Sequence, residues 1–120
     1  MASDRSRGNT SINLVVIDSS AIMMLFEFSI DLERELTRLI GAYKIVVPRS
    51  VINELRILSE KSKGKKKQIA KPALKLAENF TVADDELDNA DDAVLAIAKK
   101  QNAVVLSNDK ELRNLSLIHI

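Results

Sequence analysis

Three short runs of aliphatic and β-branched residues, 14–17, 44–47 and 103–106, alternate with stretches of helical period, and this alternation constrains the fold more than any other feature. Each run is continuously apolar rather than alternating, the pattern of a strand buried on both faces. Helical spacing covers residues 21–28, 31–40, 49–59, about 66–79, 89–101 and the short 109–114, with two weaker strands at 80–82 and 117–120. Strands alternating with helices predict an α/β fold with a parallel sheet covered on both sides. Within 31–40, Leu32, Leu36, Leu39 and Ile40 follow three-and-four spacing, and Gly41 stands where a helix C-cap belongs. Pro72 interrupts the 66–79 pattern, so that helix is expected to begin near Lys71 or to kink there. No internal repeat is visible.

The 120 residues, 46% hydrophobic and 29% charged, suit one soluble domain. Residues 1–13 are polar and without period and are expected to be a disordered tail or an expression remnant; the domain is placed at 14–120. Zero cysteines exclude disulfides, thiolate metal sites and cysteine nucleophiles, and fit a reducing, cytoplasmic location. The longest apolar run, Ala21 to Phe26, is far shorter than the ~18 residues of a membrane helix. Three Phe, one Tyr and no Trp leave too few aromatics for a base-stacking platform. Any contact with nucleic acid must then rest on charge and metal. Charge is segregated: Lys61, Lys63, Lys65, Lys66, Lys67 and Lys71 form a basic run, and without those six the chain holds 12 basic against 17 acidic residues. An acidic body carries a basic arm.

Four acids stand out by position. Asp18 directly ends the first strand and Asp109 follows Leu106 by three residues, and ligands of open α/β sheets bind beyond the carboxyl ends of such strands. Both also suit helix N-caps. On a wheel of about 100° per residue with Val51 at zero, Leu55, Leu58 and Ile57 define an apolar stripe in which Glu54 falls, near about −60°. A glutamate there is expected to be inward and paired, hydrogen-bonded or holding a metal, the plainer alternative being a salt bridge with Arg49 or Arg56 or a carboxylate at the rim of the face. With Val94 at zero, Asp91 falls near about +60°, inside the arc running from Ala93 to Leu95, while Asp92 lies on the wet face beside Lys99. Asp91 is therefore the expected inward acid, and Asp92, Asp88 and Asp84 solvated or capping charges. Four converging carboxylates repel unless a divalent cation joins them, and oxygen-only donors select Mg²⁺ or Mn²⁺ over Zn²⁺. Such ions are completed by substrate phosphate, which points to phosphoryl chemistry.

In these residues the chain resembles the PIN-domain ribonucleases, small α/β nucleases with scattered acids around Mg²⁺ or Mn²⁺, a family that includes toxin and ribosomal-RNA-processing members. Val16-Ile17-Asp18-Ser19-Ser20 resembles the first motif and Pro48-Arg49-Ser50-Val51-Ile52-Asn53-Glu54-Leu55 the second. Ala90-Asp91-Asp92-Ala93-Val94-Leu95-Ala96-Ile97-Ala98 resembles the third, and Val104-Val105-Leu106-Ser107-Asn108-Asp109-Lys110-Glu111-Leu112 the fourth. The resemblance spans nearly all of residues 13–120. It implies a three-layer α/β/α sandwich with a mostly five-stranded parallel sheet, and cleavage of single-stranded or looped RNA to 5′-phosphate and 3′-hydroxyl ends. Asp18, Glu54, Asp91 and Asp109 become the catalytic and metal-site acids, supported by Ser19, Ser107, Asn108 and Asp92. The first motif has Ser20 where many members have Asn, and the chain ends at its last strand where relatives often continue.

The six lysines are expected to guide RNA toward the acids, or else to form a solvated loop between helices. Two physiological roles fit the resemblance: maturation of ribosomal or transfer RNA, with a ribosome-assembly partner, toward which the lysine-rich insert and the Ala90-Asp91-Asp92 motif lean, and the toxin of a toxin–antitoxin pair, with an antitoxin; a homodimer is a further expectation. An inactive PIN-fold RNA-binding or assembly module is the alternative of another class. Phosphoacceptor receivers and aspartate-nucleophile phosphatases also place an Asp after the first strand. The former expect an acidic pair there, and the latter a second Asp where this chain has Ser20.

Overall fold

The computed structural model describes residues 12–84, 90–109 and 114–119. Its strands are β1 (Asn13–Ile17), β2 (Tyr43–Pro48), β3 (Thr81–Ala83), β4 (Val104–Asp109) and β5 (Asn114–His119). They form one sheet in the order β3-β2-β1-β4-β5. β1 pairs in parallel with β2 and β4, and β2 with β3, whereas β4 and β5 are antiparallel. The helices are α1 (Ser19–Glu27), α2 (Leu32–Ile40), α3 (Arg49–Lys61), α4 (Gly64–Glu78) and α5 (Ala90–Gln101).

Successive residues Val15, Val16 and Ile17 are all fully buried, so β1 is covered on both faces, as its unbroken apolar run predicts. Right-handed crossovers account for the two layers. The chain moves outward from β1 through β2 to β3, which puts α1 to α4 on one side, and then returns past β1 to β4, which puts α5 on the other. α1 packs against α3, α4 and β4, and α5 lies against β1, β2 and β4 and also meets α3. The three-layer α/β/α sandwich with its mostly parallel five-stranded sheet is therefore the fold of this chain. Strand order reverses between β1 and β4, and there the carboxyl ends of two parallel neighbours open a crevice.

Local signals explain the ends of α1 and α2. Asp18 caps α1, its Oδ1 accepting the Ala21 amide at 2.8 Å. Asp31 caps α2 in the same way through the Arg34 amide at 3.1 Å. Gly41 ends α2 with φ 76°, and its amide donates to the Thr37 carbonyl. Because no atom lies within 4 Å of a Cβ added at Gly41, Gly41→Ala is expected to cost only backbone strain, about 1–3 kcal/mol, read as a lower urea midpoint at constant m. In α2, Leu36 is buried but Leu39 is 38% exposed, so the buried stripe is narrower than the spacing predicts.

Two expectations are corrected. α4 does not start near Lys71; it runs from Gly64 with Pro72 inside it. Pro72 forfeits one intrahelical bond, yet Ala70, Ala73 and Ala77 are fully buried where α4 packs on α3 and α1, and that packing sustains the helix. The lysine run thus belongs mainly to a helix rather than a loop. Nor does Asp109 open a helix. It is the last residue of β4, paired in register with Asn114 of β5, so the antiparallel ladder prevails over the capping signal. The rest of the expected 109–114 helix, residues 110–113, and the acidic residues 85, 86 and 88 lie outside the described residues.

Candidate active site

Three chain segments meet at the carboxyl ends of β1 and β4. Ser19, first residue of α1, donates its Oγ proton to Glu54 Oε1 of α3 at 2.5 Å, joining residues 35 apart in sequence. Ser20 Oγ lies 3.0 Å from Asp18 Oδ1 and 3.2 Å from Asn108 Oδ1 of β4, so one hydroxyl ties the end of the first strand to the end of the fourth. The Oδ1 atom of Asp18 is thereby fixed twice, by the Ala21 amide and by the Ser20 hydroxyl. Short polar side chains at a strand end, followed at once by a helix start, produce this geometry. The backbone turns out of the sheet at Asp18 and lets two consecutive serines reach opposite neighbours.

The wheel reading of Glu54 requires correction. Val51, Ile52, Leu55 and Ser59 form the buried face of α3, an arc from zero to about +100° with Val51 at zero. Glu54, at about −60°, lies outside that arc and is exposed, and Ile57, counted in the apolar stripe, is 53% exposed. Neither expected arginine takes Glu54. Arg49 binds Asp84 at 3.0 Å, and Arg56 binds Asn53 at 3.2 Å and Glu78 at 3.8 Å. Glu54 instead faces the crevice through Ser19.

These groups head a cleft of about 390 Å³ between α1, α3, α4 and the end of β4. Each helix lines it with a row at helical spacing. α1 contributes Ser19, Met23 and Glu27, four residues apart; α3 contributes Glu54 and Leu58; α4 contributes Lys65, Lys66 and Ile69. Of the six lysines, Lys65 and Lys66 line this cleft, and Lys61, Lys63 and Lys71 are exposed on the same hairpin of helices. Lys67 is half-buried. Met23, Glu27, Leu58 and Ile69 were not among the expected site residues. Their four-residue spacing from Ser19, Glu54 and Lys65 is the signal that identifies them.

Asp91 is the second residue of α5, which lies against β1, β2 and β4, and Asp109 is the residue after Asn108. The side chains of both lie outside the described residues. Asp92 is exposed, as expected, and Ser107 is half-buried beside Asn108 on β4. Among the described residues no three Asp, Glu, His or Cys side chains come together. The groups joined at the strand ends offer oxygen donors: the carboxylates of Asp18 and Glu54, the amide oxygen of Asn108 and the hydroxyls of Ser19 and Ser20. That donor set suits a hard divalent cation and not a soft one.

A parallel α/β domain with an oxygen-lined cleft at the reversal of its strand order defines the class. Within that class, the profile of the PIN like domain family matches residues 15–118, and the chain belongs to this family. It is 33% identical over 113 residues to Ribonuclease VapC9 of Archaeoglobus fulgidus, covering 94% of this chain and 82% of that protein. It is 32% identical over 103 residues to Ribonuclease VapC4 of Methanocaldococcus jannaschii, covering 82% and 79%. The fold is similar to that of the PIN domain endonuclease Utp24, with a TM-score of 0.61 at 16% identity over 89% of this chain and 92% of that one. No helix among the described residues is long and apolar enough to cross a membrane.

Proposed function

We propose that this chain is a divalent-metal-dependent endoribonuclease and the toxin of a toxin–antitoxin pair, with RNA as substrate and a small antitoxin protein as partner. The observation that carries the reading is the pair of serine links. Ser19 to Glu54 and Ser20 to Asp18 and Asn108 draw separate segments to one crevice whose flank carries Lys65 and Lys66. The identity to two VapC ribonucleases supports the toxin role over ribosomal or transfer RNA maturation.

In this reading Asp18, Asp91 and Asp109 hold Mg²⁺ or Mn²⁺, and Glu54 serves as a further ligand or as the base that orients water. The ion, when bound, supplies charge neutralisation at the phosphodiester and an activated water. The chain's own residues do the rest. Ser19 fixes the Glu54 carboxylate; Ser20 and the Ala21 amide fix Asp18; Asn108 accepts at the Ser20 hydroxyl, and Ser107 steadies the end of β4. Lys65 and Lys66 offset the negative charge of the acids where the RNA backbone enters, an attraction that weakens as salt rises.

Single-stranded RNA incubated with the protein tests this. Cleavage is expected with Mn²⁺ or Mg²⁺, leaving 5′-phosphate ends, and is expected to vanish with a chelator and return on adding the ion back. RNA left intact under Mn²⁺ would favour the inactive assembly module, and cleavage that persists in chelator would sink the metal reading.

A further inference from the structure

We propose that Met23, Leu58 and Ile69 form a subsite for one unpaired nucleobase of the RNA substrate, beside the bond that is cut. The proposal rests on the nuclease reading for the identity of the ligand. Its physical basis is the order of chemistry along the cleft. On three different helices, Met23 and Leu58 stand one turn along from the oxygen groups of Ser19 and Glu54, and Ile69 one turn along from cationic Lys65, all of them lining the cleft with Ser20, Lys66 and Asn108. All three aliphatics are half-buried, whereas their helix neighbours Ala21, Leu55 and Ala70 are fully buried core. They are therefore left on the solvent side of a completed core, as apolar surface that a ligand can cover.

Charge decides which ligand. A nucleotide is a phosphate and an apolar-faced ring joined by a sugar, and this cleft offers cations for the first and aliphatic surface for the second. Glu27, at the far end of the Ser19-Met23 row, repels phosphate and so directs the backbone along the lysine wall. A volume of about 390 Å³ is at the small end of ligand pockets and suits one splayed nucleotide rather than a paired duplex. None of the described lining residues is aromatic, so the ring is held by van der Waals contact and shape rather than by π-stacking.

The test uses the full chain and one single-stranded RNA of fixed sequence, in which a single abasic ribose is placed at each position in turn. At one offset from the cut bond, loss of the base is expected to lower kcat/KM about tenfold, chiefly through KM, with little change elsewhere. Leu58→Ala and Ile69→Ala are expected to shrink that penalty to under about threefold, while Ile57→Ala, on the exposed side of α3, keeps it. A flat abasic profile on the parent overturns the subsite even if the variants fold poorly, and so do folded variants that keep the full penalty. Anisotropy in chelator separates the two readings. RNA that binds with the same positional penalty but stays uncut under Mn²⁺ overturns the nuclease and supports the subsite. RNA that neither binds nor is cut overturns both.

Discussion

Asp91→Asn is expected to abolish RNA cleavage, and Asp92→Asn, one residue on, is expected to leave it within about threefold of the parent. The two acids share a sequence motif but not a helical face. Ala93, Val94, Ile97 and Ala98 are the buried residues of α5, and Asp92, about 160° from Val94, is exposed with Leu95 and Ala96. Position 91 is about 20° from Ala98 on the same wheel, at the end of the helix that packs over β1 and β4. Asparagine keeps the volume and removes the charge, so the substitution isolates what the carboxylate does. Outer groups around a metal typically cost ~10- to 100-fold when removed, and a direct ligand is expected to exceed that range. Equal loss from both substitutions, in variants with unchanged melting temperatures, would refute the assignment. Full activity in Asp91→Asn would refute the metal site itself.

Strands buried on both faces are the easiest elements to read, because nothing polar interrupts them; residues 14–17, 44–47 and 103–106 all fall within β1, β2 and β4 or at their edges. Helix α4 was harder, since Gly64 and Pro72 are local breakers and only its alanine contacts with α1 and α3 reveal that packing overrides them. Asp109 shows the reverse case. Its capping signal is local, and the partner that defeats it, Asn114, is supplied by the strand pairing. The wheel misplaced Glu54 because Ile57 counts there as core, while Ser59, being polar, gives no core signal. In the fold Ile57 is exposed, and Ser59, 8% exposed, satisfies its hydroxyl on the Arg56 carbonyl and joins the buried face. The carboxylates of Asp18 and Glu54, which the two serines draw to one crevice, are legible as chemistry. The apolar wall is not, because Met23, Leu58 and Ile69 have the spacing of core residues, and spacing cannot tell a buried row from one that lines a cleft.

Leu106→Ala is expected to destabilise the fold by about 2–5 kcal/mol, against about 5–15 kcal/mol for a domain of this size, while Ile118→Ala should cost under about 1 kcal/mol. Both side chains are large and aliphatic, and both sit on strands of the β4 and β5 pair. The difference is burial. Leu106 is fully buried, in register with Ile17 on one side and Leu117 on the other, whereas Ile118 is 46% exposed. Removing three carbons from Leu106 leaves a cavity between two central strands that close packing on both sheet faces keeps from collapsing. Ile118 gives up little more than a partial hydrophobic contact. Urea unfolding at constant m measures the two costs, and comparable values would show that β4 is not the interior strand the topology makes it. The same cavity lies two residues before Asn108, whose amide oxygen meets the Ser20 hydroxyl. Leu106→Ala should therefore weaken cleavage even at temperatures where the chain remains folded. Leu106→Ile, which keeps the volume, should restore most of both stability and activity.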